Sequence, residues 1–361
     1  MLLEETVYSN GDSFIDDLVH SISRAQYKIH LETYIFDHDA VGDRVLEALA
    51  RAAERGVQVR LLIDGVGSAG WTFAEAEGWR KRGIDLKFYH ALPWQNSASN
   101  VWKSLTIKSI ILGFFKLNQR NHRKICIIDD ETTFISSMNI SARHVPSERG
   151  PEAWRDTSLR LAGHDNRPHL LDSHRAWSIS QRHHEPSWQH IKKQKRNSYA
   201  ELLRQIRNAR ERIWITNPYF IPDFKLTRTL CAASKRGVDV KILLPSRSDI
   251  PGLKFAMQAL YSLLLGFGVT IYEYRSSILH AKIMIIDDWV SVGSYNLDYR
   301  SIFNNLEVSA VVNKPENIQL IQNQFKRDLN SSQLISLESW KKRSRINQYL
   351  ESFFLFFKEI L

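Results

Sequence analysis

The sequence predicts an α/β fold in which one structural unit occurs twice. Three pairs of similar segments follow the same order in the two halves of the chain: 27–36 (YKIHLETYIF) and 211–221 (ERIWITNPYFI), 48–64 (ALARAAERGVQVRLLID) and 229–245 (TLCAASKRGVDVKILLP), 81–90 (KRGIDLKFYH) and 266–275 (GFGVTIYEYR). A short polar motif, H-x-K-x-x-x-x-D, then closes each series, at 122–129 and at 280–287. Such self-similarity indicates a duplicated unit of secondary structure.

Each half alternates helices with strands. Residues 11–26 (GDSFIDDLVHSISRAQ) carry apolar residues at intervals of three and four, which is the pattern of an amphipathic helix. The segments 57–64 (VQVRLLID) and 238–245 (VDVKILLP) are rich in β-branched residues and follow Arg-Gly steps that end the preceding helices. The alternation predicts two layered α/β domains, each a mixed sheet flanked by helices.

The repeat divides the chain into four parts. Residues 1–165 form the first predicted domain, with an insertion at 91–121 that the second half lacks, and residues 199–330 form the second domain. Between them, 166–198 is polar and contains two prolines, so we expect a connector. The last part, 331–361, combines basic residues with a run of large apolar ones.

The paired motif has the residues needed to transfer a group from a phosphodiester. A neutral imidazole can attack phosphorus and form a phosphohistidine, and a second, protonated imidazole can give its proton to the departing alkoxide. The two halves supply one histidine each, His122 and His280. Lys124 and Lys282 come two residues later, which on a strand is the same face, so they can stabilise charge on the non-bridging oxygens. This scheme requires no metal ion and no cofactor.

Further polar residues can support these groups. Asn139 and Asn296 each follow a step of small residues and offer neutral donors to the phosphate. Two serines in those steps and two later carboxylates complete the candidate site: Ser137, Ser294, Asp156 and Glu307. A carboxylate that accepts the ring N–H of an imidazole fixes its tautomer and favours its protonated form, so we expect the two carboxylates to orient the histidines.

The last residue of each motif has a different expected role. Asp129 and Asp287 lie seven positions after their histidines, and a regular strand points such positions to its opposite face. We therefore expect them to fix the strand end or a neighbouring loop without touching the phosphate.

Composition limits the partners and the compartment. The formal net charge of +10 and the pI near 9.5 favour a polyanionic partner, either nucleic acid or an anionic membrane. The two cysteines, Cys126 and Cys231, lie in apolar or small-residue runs, which indicates reduced thiols in a cytosolic compartment. No apolar run approaches the roughly 20 residues of a spanning helix.

The motif pair resembles the phospholipase D superfamily, and the match is closest to bacterial cardiolipin synthases of the kind without N-terminal membrane spans. The similar stretches cover most of residues 5–325: HLETYIF, RGVQVRLLIDGVGS, NHRKICIIDD, MNISARH, GPEAWRDTSLRLAG and HAKIMIIDDWVSVGSYNLDYRS. The resemblance implies two α/β domains with the active site at their interface, His122 as the nucleophile and His280 as the acid/base. One departure is Ser136, where the family usually has glycine, and a strict glycine requirement would strain the first half.

The expected function is transfer of a phosphatidyl group through a phosphohistidine to the alcohol of phosphatidylglycerol or a similar acceptor. The first alternative is a phosphodiesterase that uses water and acts on phospholipid or nucleic acid. The second is a non-catalytic binding protein, which the two intact motifs disfavour.

Lipid is favoured over nucleic acid by two segments that place basic residues beside apolar faces. These are 101–115 (VWKSLTIKSIILGFF) in the insertion and 349–357 (YLESFFLFF) near the end of the sequence. We therefore expect 331–361 to be a membrane-associating tail and the protein to lie on the cytoplasmic side of the bacterial inner membrane, as a peripheral protein.

Overall fold

The computed structural model describes residues 4–96, 119–181 and 187–356, and within them it contains two seven-stranded sheets. The strands of the first sheet are β1 Glu4–Tyr8, β2 Lys28–Thr33, β3 Gln58–Asp64, β4 Ile84–Tyr89, β5 Ile125–Ile128, β6 Thr132–Ser136 and β7 Ser158–Ala162. Those of the second are β8 Arg212–Thr216, β9 Asp239–Pro245, β10 Thr270–Tyr274, β11 Ile283–Ile286, β12 Trp289–Gly293, β13 Ser309–Val312 and β14 Ser332–Ile335.

Both sheets share one central order, which confirms the predicted α/β repeat. The strands run β1-β7-β6-β5-β2-β3-β4 across the first sheet and β13-β12-β11-β8-β9-β10-β14 across the second. The strands β2, β3 and β4 are parallel, as are β8, β9 and β10, whereas the motif strands β5 and β11 pair antiparallel with β2 and β8. The edges differ, because β1 extends the first sheet beside β7 and β14 extends the second beside β10.

Helices cover the sheets and join the domains. The helices are α1 Gly11–Arg24, α2 Ala40–Glu54, α3 Phe73–Lys81, α4 Pro146–Arg149, α5 Arg167–Gln181, α6 Ser187–Asn208, α7 Phe224–Lys235, α8 Pro251–Gln258, α9 Tyr261–Gly266, α10 Pro315–Asn330, α11 Leu337–Lys341 and α12 Arg345–Phe356. Polar N-caps explain where several of them begin: Asn10 accepts from two N–H groups of α1, Asp39 does the same for α2, and Asp223 caps α7.

The motif strands lie at the centre of the molecule because both of their faces are apolar. Alternate residues of β5 face opposite sides: Cys126 and Ile128 pack with the helices of the first domain, while Ile125 and Ile127 pack against the second domain. Residues of β11 alternate in the same way, with Ile283 and Ile285 in the shared core. The two sheets are therefore joined by apolar burial directly beneath the motifs, and both cysteines are free and buried.

The predicted connector 166–198 is helical where the structure describes it. It contains α5 and the first half of α6, which continues into the second domain as far as Asn208. In α5, Trp177 is buried with Leu62 and Tyr89, so this helix packs on the first sheet.

The predicted boundary at residue 330 is wrong, because the second domain extends further. Residues 332–335 form β14, which pairs antiparallel with β10 and closes the edge of the second sheet. Beyond it, α12 lies on α8: the ring of Phe354 stacks on Phe255 at 5.7 Å, and an ion pair joins the buried Glu351 to Arg343 at 2.7 Å. The predicted tail is thus folded onto the protein over its described length.

No helix in the described ranges combines the length and the apolar character that crossing a membrane requires. The apolar segment predicted within the insertion, 101–115, lies outside the described residues.

Candidate active site

The two motifs meet at one buried centre. His122 and His280, which precede β5 and β11, are only 7% and 4% exposed. Lys124 Nζ donates to the carbonyl oxygen of His122 at 2.9 Å, and Lys282 Nζ donates to that of His280 at 2.6 Å. Burial, and then the nearby charge of Lys282, hold the pKa of Lys124 well below its usual range. The lysines of the two halves therefore act on the same small volume.

Each histidine is paired with a carboxylate of the other domain. His122 Nδ1 lies 3.0 Å from Glu307 Oε2, and His280 Nδ1 lies 2.9 Å from Asp156 Oδ1. All four side chains are nearly inaccessible to solvent. The candidate carboxylates thus contact the two imidazoles, and the structure adds that the pairs are crossed between domains.

The backbone sets this crossing. The N–H of His122 donates to the carbonyl of Leu306, the residue before Glu307, at 2.9 Å. The N–H of His280 donates to the carbonyl of Arg155, the residue before Asp156, at 2.9 Å as well. Each carboxylate is consequently brought to its histidine by a short β-bridge between the domains.

A buried ion pair anchors the chain just before His122. The guanidinium of Arg120 lies 2.7 Å from Asp64 Oδ1, and the Asn121 N–H donates to Asp64 Oδ2 at 2.9 Å. Asn121 Nδ2 also donates to the buried Glu32 at 2.9 Å. Asp64 is the last residue of β3, and Glu32 is the residue before the last of β2. The first sheet therefore fixes the approach to the motif histidine.

The side chains of the two candidate serines hold the carboxylates. Ser137 Oγ donates to Asp156 Oδ1 at 2.6 Å, and Ser294 Oγ donates to Glu307 Oε2. Both serines are completely buried.

The expected strain at Ser136 is absent. Its hydroxyl lies 2.6 Å from Ser158 Oγ and accepts from the Met138 N–H at 2.8 Å, and its φ is not positive. At the equivalent Gly293 a Cβ would lie 2.2 Å from the carbonyl oxygen of Val308. The glycine requirement therefore holds in the second half only.

The two candidate asparagines are buried, each 3% exposed. Asn139 Oδ1 accepts from the Ile35 N–H at 3.1 Å, which leaves its amide N–H groups for another partner. Asn296 Oδ1 makes no hydrogen bond within the described part of the chain. Each of the two side chains therefore keeps at least one polar group that can bind a ligand.

The last motif residues lie at strand ends, away from the imidazoles. Asp129 accepts from the N–H groups of residues 26, 27 and 28 at 2.8–2.9 Å, and Asp287 accepts from those of residues 210, 211 and 212 at 2.9–3.0 Å. Both aspartates have positive φ, 52° and 51°, in the turn that follows the motif strand. Each ties that turn to the start of the neighbouring strand.

The two carboxylates differ in charge. Although burial opposes ionisation, His280 and His144 hold the pKa of Asp156 well below its usual range. Burial raises the pKa of Glu307 to about 7, although the charge of Lys124 and the hydrogen bond from Ser294 lower it. Asp156 is therefore an anion throughout the physiological range, whereas Glu307 titrates within it.

Both histidines are neutral in these surroundings. Burial and then the charge of Lys282 lower the pKa of His280 to about 3, against the raising effect of Asp156. Burial, followed by Lys124 and Lys282, places the pKa of His122 well below its usual range. Lys282 Nζ also lies 3.0 Å from His280 Nε2, a bond that requires an unprotonated nitrogen there.

Sequence reasoning missed four residues that line this centre. The Tyr34 ring lies 5.0 Å from the His122 ring, and the Tyr219 ring lies 6.5 Å from the His280 ring. Trp154 packs on His280 at 5.3 Å, and His144 bonds to Asp156. The tyrosines lie in one of the pairs of similar segments, which was the signal available for them.

One group of described residues has the ligand types of a metal site. Atoms of His144, Asp156 and His280 lie within 4.8 Å of one another and are buried. However, both imidazoles approach the carboxylate at hydrogen-bond distance, 2.6 Å and 2.9 Å, and Ser137 donates to it as well. These contacts satisfy the carboxylate through N–H and O–H donors, so the arrangement is that of a hydrogen-bonded chain.

The repeated α/β domains and the paired, crossed histidines define a phospholipase D-type enzyme. A family model described as "Cardiolipin synthase, PLD-like domain" matches residues 18–150 and 202–329. The chain belongs to this cardiolipin synthase family. It is a phosphatidyltransferase of the phospholipase D superfamily, whose substrate is a phospholipid.

Individual relatives agree with this membership. The chain is similar to cardiolipin synthase B of Salmonella typhi, with 32% identity over 327 residues, which cover 84% of this chain and 75% of the relative. A probable cardiolipin synthase of Bacillus subtilis (strain 168) is 29% identical over 379 residues, 98% of this chain and 72% of its own. The solved phosphatidylserine synthase of Haemophilus influenzae Rd KW20 has a TM-score of 0.69 at 11% identity, with 99% and 93% coverage, and shows the shared fold.

Replacing either strand-end aspartate should destabilise the fold and spare the chemistry. Asp129→Ala and Asp287→Ala each leave three backbone N–H groups without their acceptor, so the free energy of unfolding should fall by about 2–4 kcal/mol. Below the unfolding transition, kcat should stay within about threefold of the wild-type value, since neither residue touches an imidazole.

The matched control for this pair of variants is Asp130→Ala. Asp130 also has positive φ, 58°, but its partner is the half-exposed Lys28, so the substitution removes only a surface ion pair. Urea unfolding and turnover measured on all three variants separate the two effects. A well-folded Asp129→Ala enzyme with kcat as low as a histidine variant would place that aspartate in the reaction.

The unequal carboxylates predict different pH dependences for two amide variants. Below about pH 7 Glu307 is already protonated, so Glu307→Gln should cost little there, and the ratio of wild-type to variant kcat should rise on going to higher pH. Asp156→Asn removes an anion present at every pH in the range, so its ratio should be large, about 10²–10⁴, and flat. Profiles of kcat against pH check this, and a flat ratio for Glu307→Gln contradicts it.

Proposed function

We propose that this protein transfers the phosphatidyl group of one phosphatidylglycerol molecule to the hydroxyl of a second, through a phosphohistidine on His122. The observation that carries the proposal is the crossed pairing of two neutral histidines with two unequal carboxylates over two buried lysines. Transfer needs one nitrogen that attacks and one that exchanges a proton, and the two pairs supply them.

In the first step His122 Nε2 attacks phosphorus. The P–N bond forms while the bond from phosphorus to the glycerol oxygen breaks, and His280 gives its proton to that oxygen. In the second step the hydroxyl of the acceptor loses its proton to His280 and attacks phosphorus, and the P–N bond breaks. The products are diphosphatidylglycerol and free glycerol, and both histidines return to their starting states.

Lys124 and Lys282 bind the non-bridging oxygens during both displacements. They reach the same volume from opposite domains, and burial makes their attraction for a phosphodiester much stronger than it would be in water. Burial lowers the pKa of Lys282 to about 8, which shows how poorly its charge is solvated. A phosphate anion would stabilise the charged form of Lys282. The lysine already loses its hydration when the protein folds, so phosphate binding does not have to desolvate it again.

His280 must take up one proton from solvent before the first displacement, and substrate binding makes this uptake favourable. Burial and then the charge of Lys282, at 3.0 Å, are the main causes of the low pKa of His280. A phosphate oxygen that accepts from Lys282 removes this donor from Nε2 and adds negative charge beside the ring. The ionised Asp156 on Nδ1 then favours the imidazolium.

The two carboxylates favour His122 as the nucleophile and His280 as the acid/base over the reverse assignment. The acid/base must become an imidazolium, and Asp156, which stays ionised, is the stronger support for that charge. The nucleophile must stay neutral until it attacks, and Glu307 carries its own proton below about pH 7. The partner of Asp156 is His280, so His280 is the acid/base and His122 the nucleophile.

The second part of the proposal concerns the membrane. We place the protein on the cytoplasmic side of the bacterial inner membrane as a peripheral protein, with helix α12 against the lipid. Ile346 and Tyr349 of α12 are each 73% exposed, and the next exposed apolar positions on the helix are Phe353 and Phe356. This spacing makes one apolar stripe, and Lys341, Lys342 and Arg345 lie close to it in sequence.

The transfer reaction is tested with phosphatidylglycerol vesicles and two histidine variants. Wild-type protein should yield cardiolipin and glycerol with EDTA present, because the lysines supply the charge stabilisation. His122→Ala and His280→Ala should each lose at least about 10³-fold in kcat. Phosphatidic acid as the main lipid product would favour the hydrolytic alternative, and recovery only on adding metal would contradict the charge assignment.

The same variants test the roles. A phosphodiester with a p-nitrophenol leaving group needs no acid, so His280→Ala should still form a covalent adduct, located on His122 by mass spectrometry. An adduct found on His280 in the His122→Ala protein, and none on His122 in the other variant, would reverse the assignment.

The membrane contact is tested by making the α12 stripe polar. Ile346→Ser with Tyr349→Ser should weaken co-sedimentation with phosphatidylglycerol vesicles by about tenfold or more, since each lost apolar contact is worth about 1.5 kcal/mol or more. Exposed positions cost little stability, so thermal unfolding should be unchanged. The matched control is Tyr27→Ser with Leu320→Ser, which are also exposed, at 75% and 40%, and lie elsewhere. Equal binding by both double variants would refute the contact.

A further inference from the structure

A hydrogen-bonded chain runs from His280 through Asp156 to a third histidine, which lies outside the paired motif. His144 Nδ1 is 2.6 Å from Asp156 Oδ2, while Asp156 Oδ1 serves His280. The His144 side chain is buried, and its Nε2 accepts from the backbone N–H of Asn139 at 3.3 Å. Because Nε2 is an acceptor, the ring proton lies on Nδ1, and His144 donates it to Asp156.

The second repeat has only a weaker counterpart of this donor. His144 comes five residues after Asn139, and the residue five after Asn296 is Ser301. Ser301 is buried and its side chain helps to lower the pKa of Glu307, yet within the described ranges neither its Oγ nor Glu307 Oε1 has a contact with the distance and angle of a full hydrogen bond. Asp156 is therefore held firmly at both oxygens, whereas Glu307 is held firmly at one.

The position of His144 is itself tightly set. At the start of α1, a Cβ on Gly11 would lie 2.0 Å from the carbonyl oxygen of His144, so only glycine allows this helix to approach the histidine segment. The Trp154 ring packs against His144 at 5.2 Å and against His280 at 5.3 Å. The three rings and the carboxylate form one packed unit.

We propose that His144 is a positioning residue for the transfer reaction, which locks the Asp156 carboxylate so that Oδ1 stays against His280. The proposal rests on the proposed function, in which His280 exchanges the proton with the two alcohols. A carboxylate held at both oxygens cannot rotate away from the imidazole, and a misplacement of about 1 Å in such a group costs about 100-fold in rate. His144 acts through Asp156 and does not touch the substrate.

The unequal anchoring matches the unequal tasks of the two histidines. His280 must be aligned twice in each cycle, first toward the leaving oxygen and then toward the incoming hydroxyl. His122 must be aligned once, for attack, and forms a covalent bond that then holds it. The extra donor therefore lies on the side of the site where alignment is needed for longer.

Two variants at one position separate this role from simple packing. His144→Leu keeps most of the side-chain volume but has no donor for Asp156. In His144→Asn the amide nitrogen takes the place of Nδ1 and keeps the donor. We expect kcat of the Leu variant to fall about 30- to 100-fold with KM nearly unchanged, and the Asn variant to stay within about fivefold of the wild type.

The pH profile supplies a readout that packing alone does not move. Loss of the Nδ1–H bond weakens the stabilisation of the Asp156 anion, so the acidic limb of kcat should move to higher pH in the Leu variant and return in the Asn variant. The other charged or titratable groups facing this unit are Lys124, Lys282 and His280, and all three are unchanged in the two proteins.

The controls make each outcome decisive. His38→Leu removes a histidine that packs on Trp71 at 4.2 Å outside the site, and it shows what the same substitution elsewhere in the first domain does to turnover. Equal losses for His144→Leu and His144→Asn, or a change confined to KM, would overturn the positioning role. Stoichiometric zinc in the wild-type protein, with activity lost on chelation, would replace it with metal coordination.

Failure of the proposed function is visible separately. If wild-type protein forms no cardiolipin from phosphatidylglycerol vesicles, the function is wrong. If it does and His144→Leu keeps full kcat with an unshifted acidic limb, only the role of His144 is wrong. Adduct formation from the p-nitrophenyl substrate, which needs no acid, should be nearly normal in the Leu variant and confirms that its site is intact.

Discussion

The active site depends on two backbone bridges that tie each motif histidine to the opposite domain. The N–H groups of His122 and His280 donate to the carbonyls of Leu306 and Arg155, and these contacts bring Glu307 and Asp156 to the two imidazoles. Neither motif histidine is paired with a carboxylate of its own domain. The apolar layer beneath β5 and β11 holds the bridges in register. The alignment of the histidines with their carboxylates therefore depends on the packing of the two sheets.

The duplicated units are not used identically, and the differences are local. A buried serine pair, Ser136 with Ser158, fills the place where the second half requires Gly293. Asp156 Oδ2 is bonded to a histidine at 2.6 Å, whereas the free oxygen of Glu307 has only the weaker approach of Ser301 among the described residues. Two nearly equal histidine pairs thereby acquire carboxylates of different charge near neutral pH, which is what a reaction with one nucleophile and one proton carrier needs.

Much of the fold was predictable because its signal is repeated in the sequence. Alternating apolar residues and glycine stops located the strands and helices, and the odd offset of Asp129 and Asp287 placed them at strand ends. The crossing of the carboxylates could not be derived, since a backbone bridge between distant segments leaves no periodic trace. His144 was missed for a related reason: its counterpart Ser301 is a different residue, so the repeat hid it. The boundary at residue 330 could not be placed from the sequence, because β14 is only four residues long and pairs at the edge of the sheet.

Burial strengthens the attraction of Lys124 and Lys282 for an anion, and it also removes water from their ammonium groups, which is unfavourable. Lys124 and Lys282 are each 3% exposed, and removal from water disfavours both ammonium groups. Surrounding them with more carboxylates would relieve that cost and would also cancel the field that a phosphodiester needs. Asp156, the carboxylate that stays ionised, instead lies on the Nδ1 side of His280. There Ser137, His144 and the His280 imidazole donate hydrogen bonds to it. The acceptors of the lysines are carbonyl oxygens and, for Lys282, also His280 Nε2, and a phosphate can replace them. In the proposed mechanism, an anionic substrate would complete the coordination of these two poorly solvated cations.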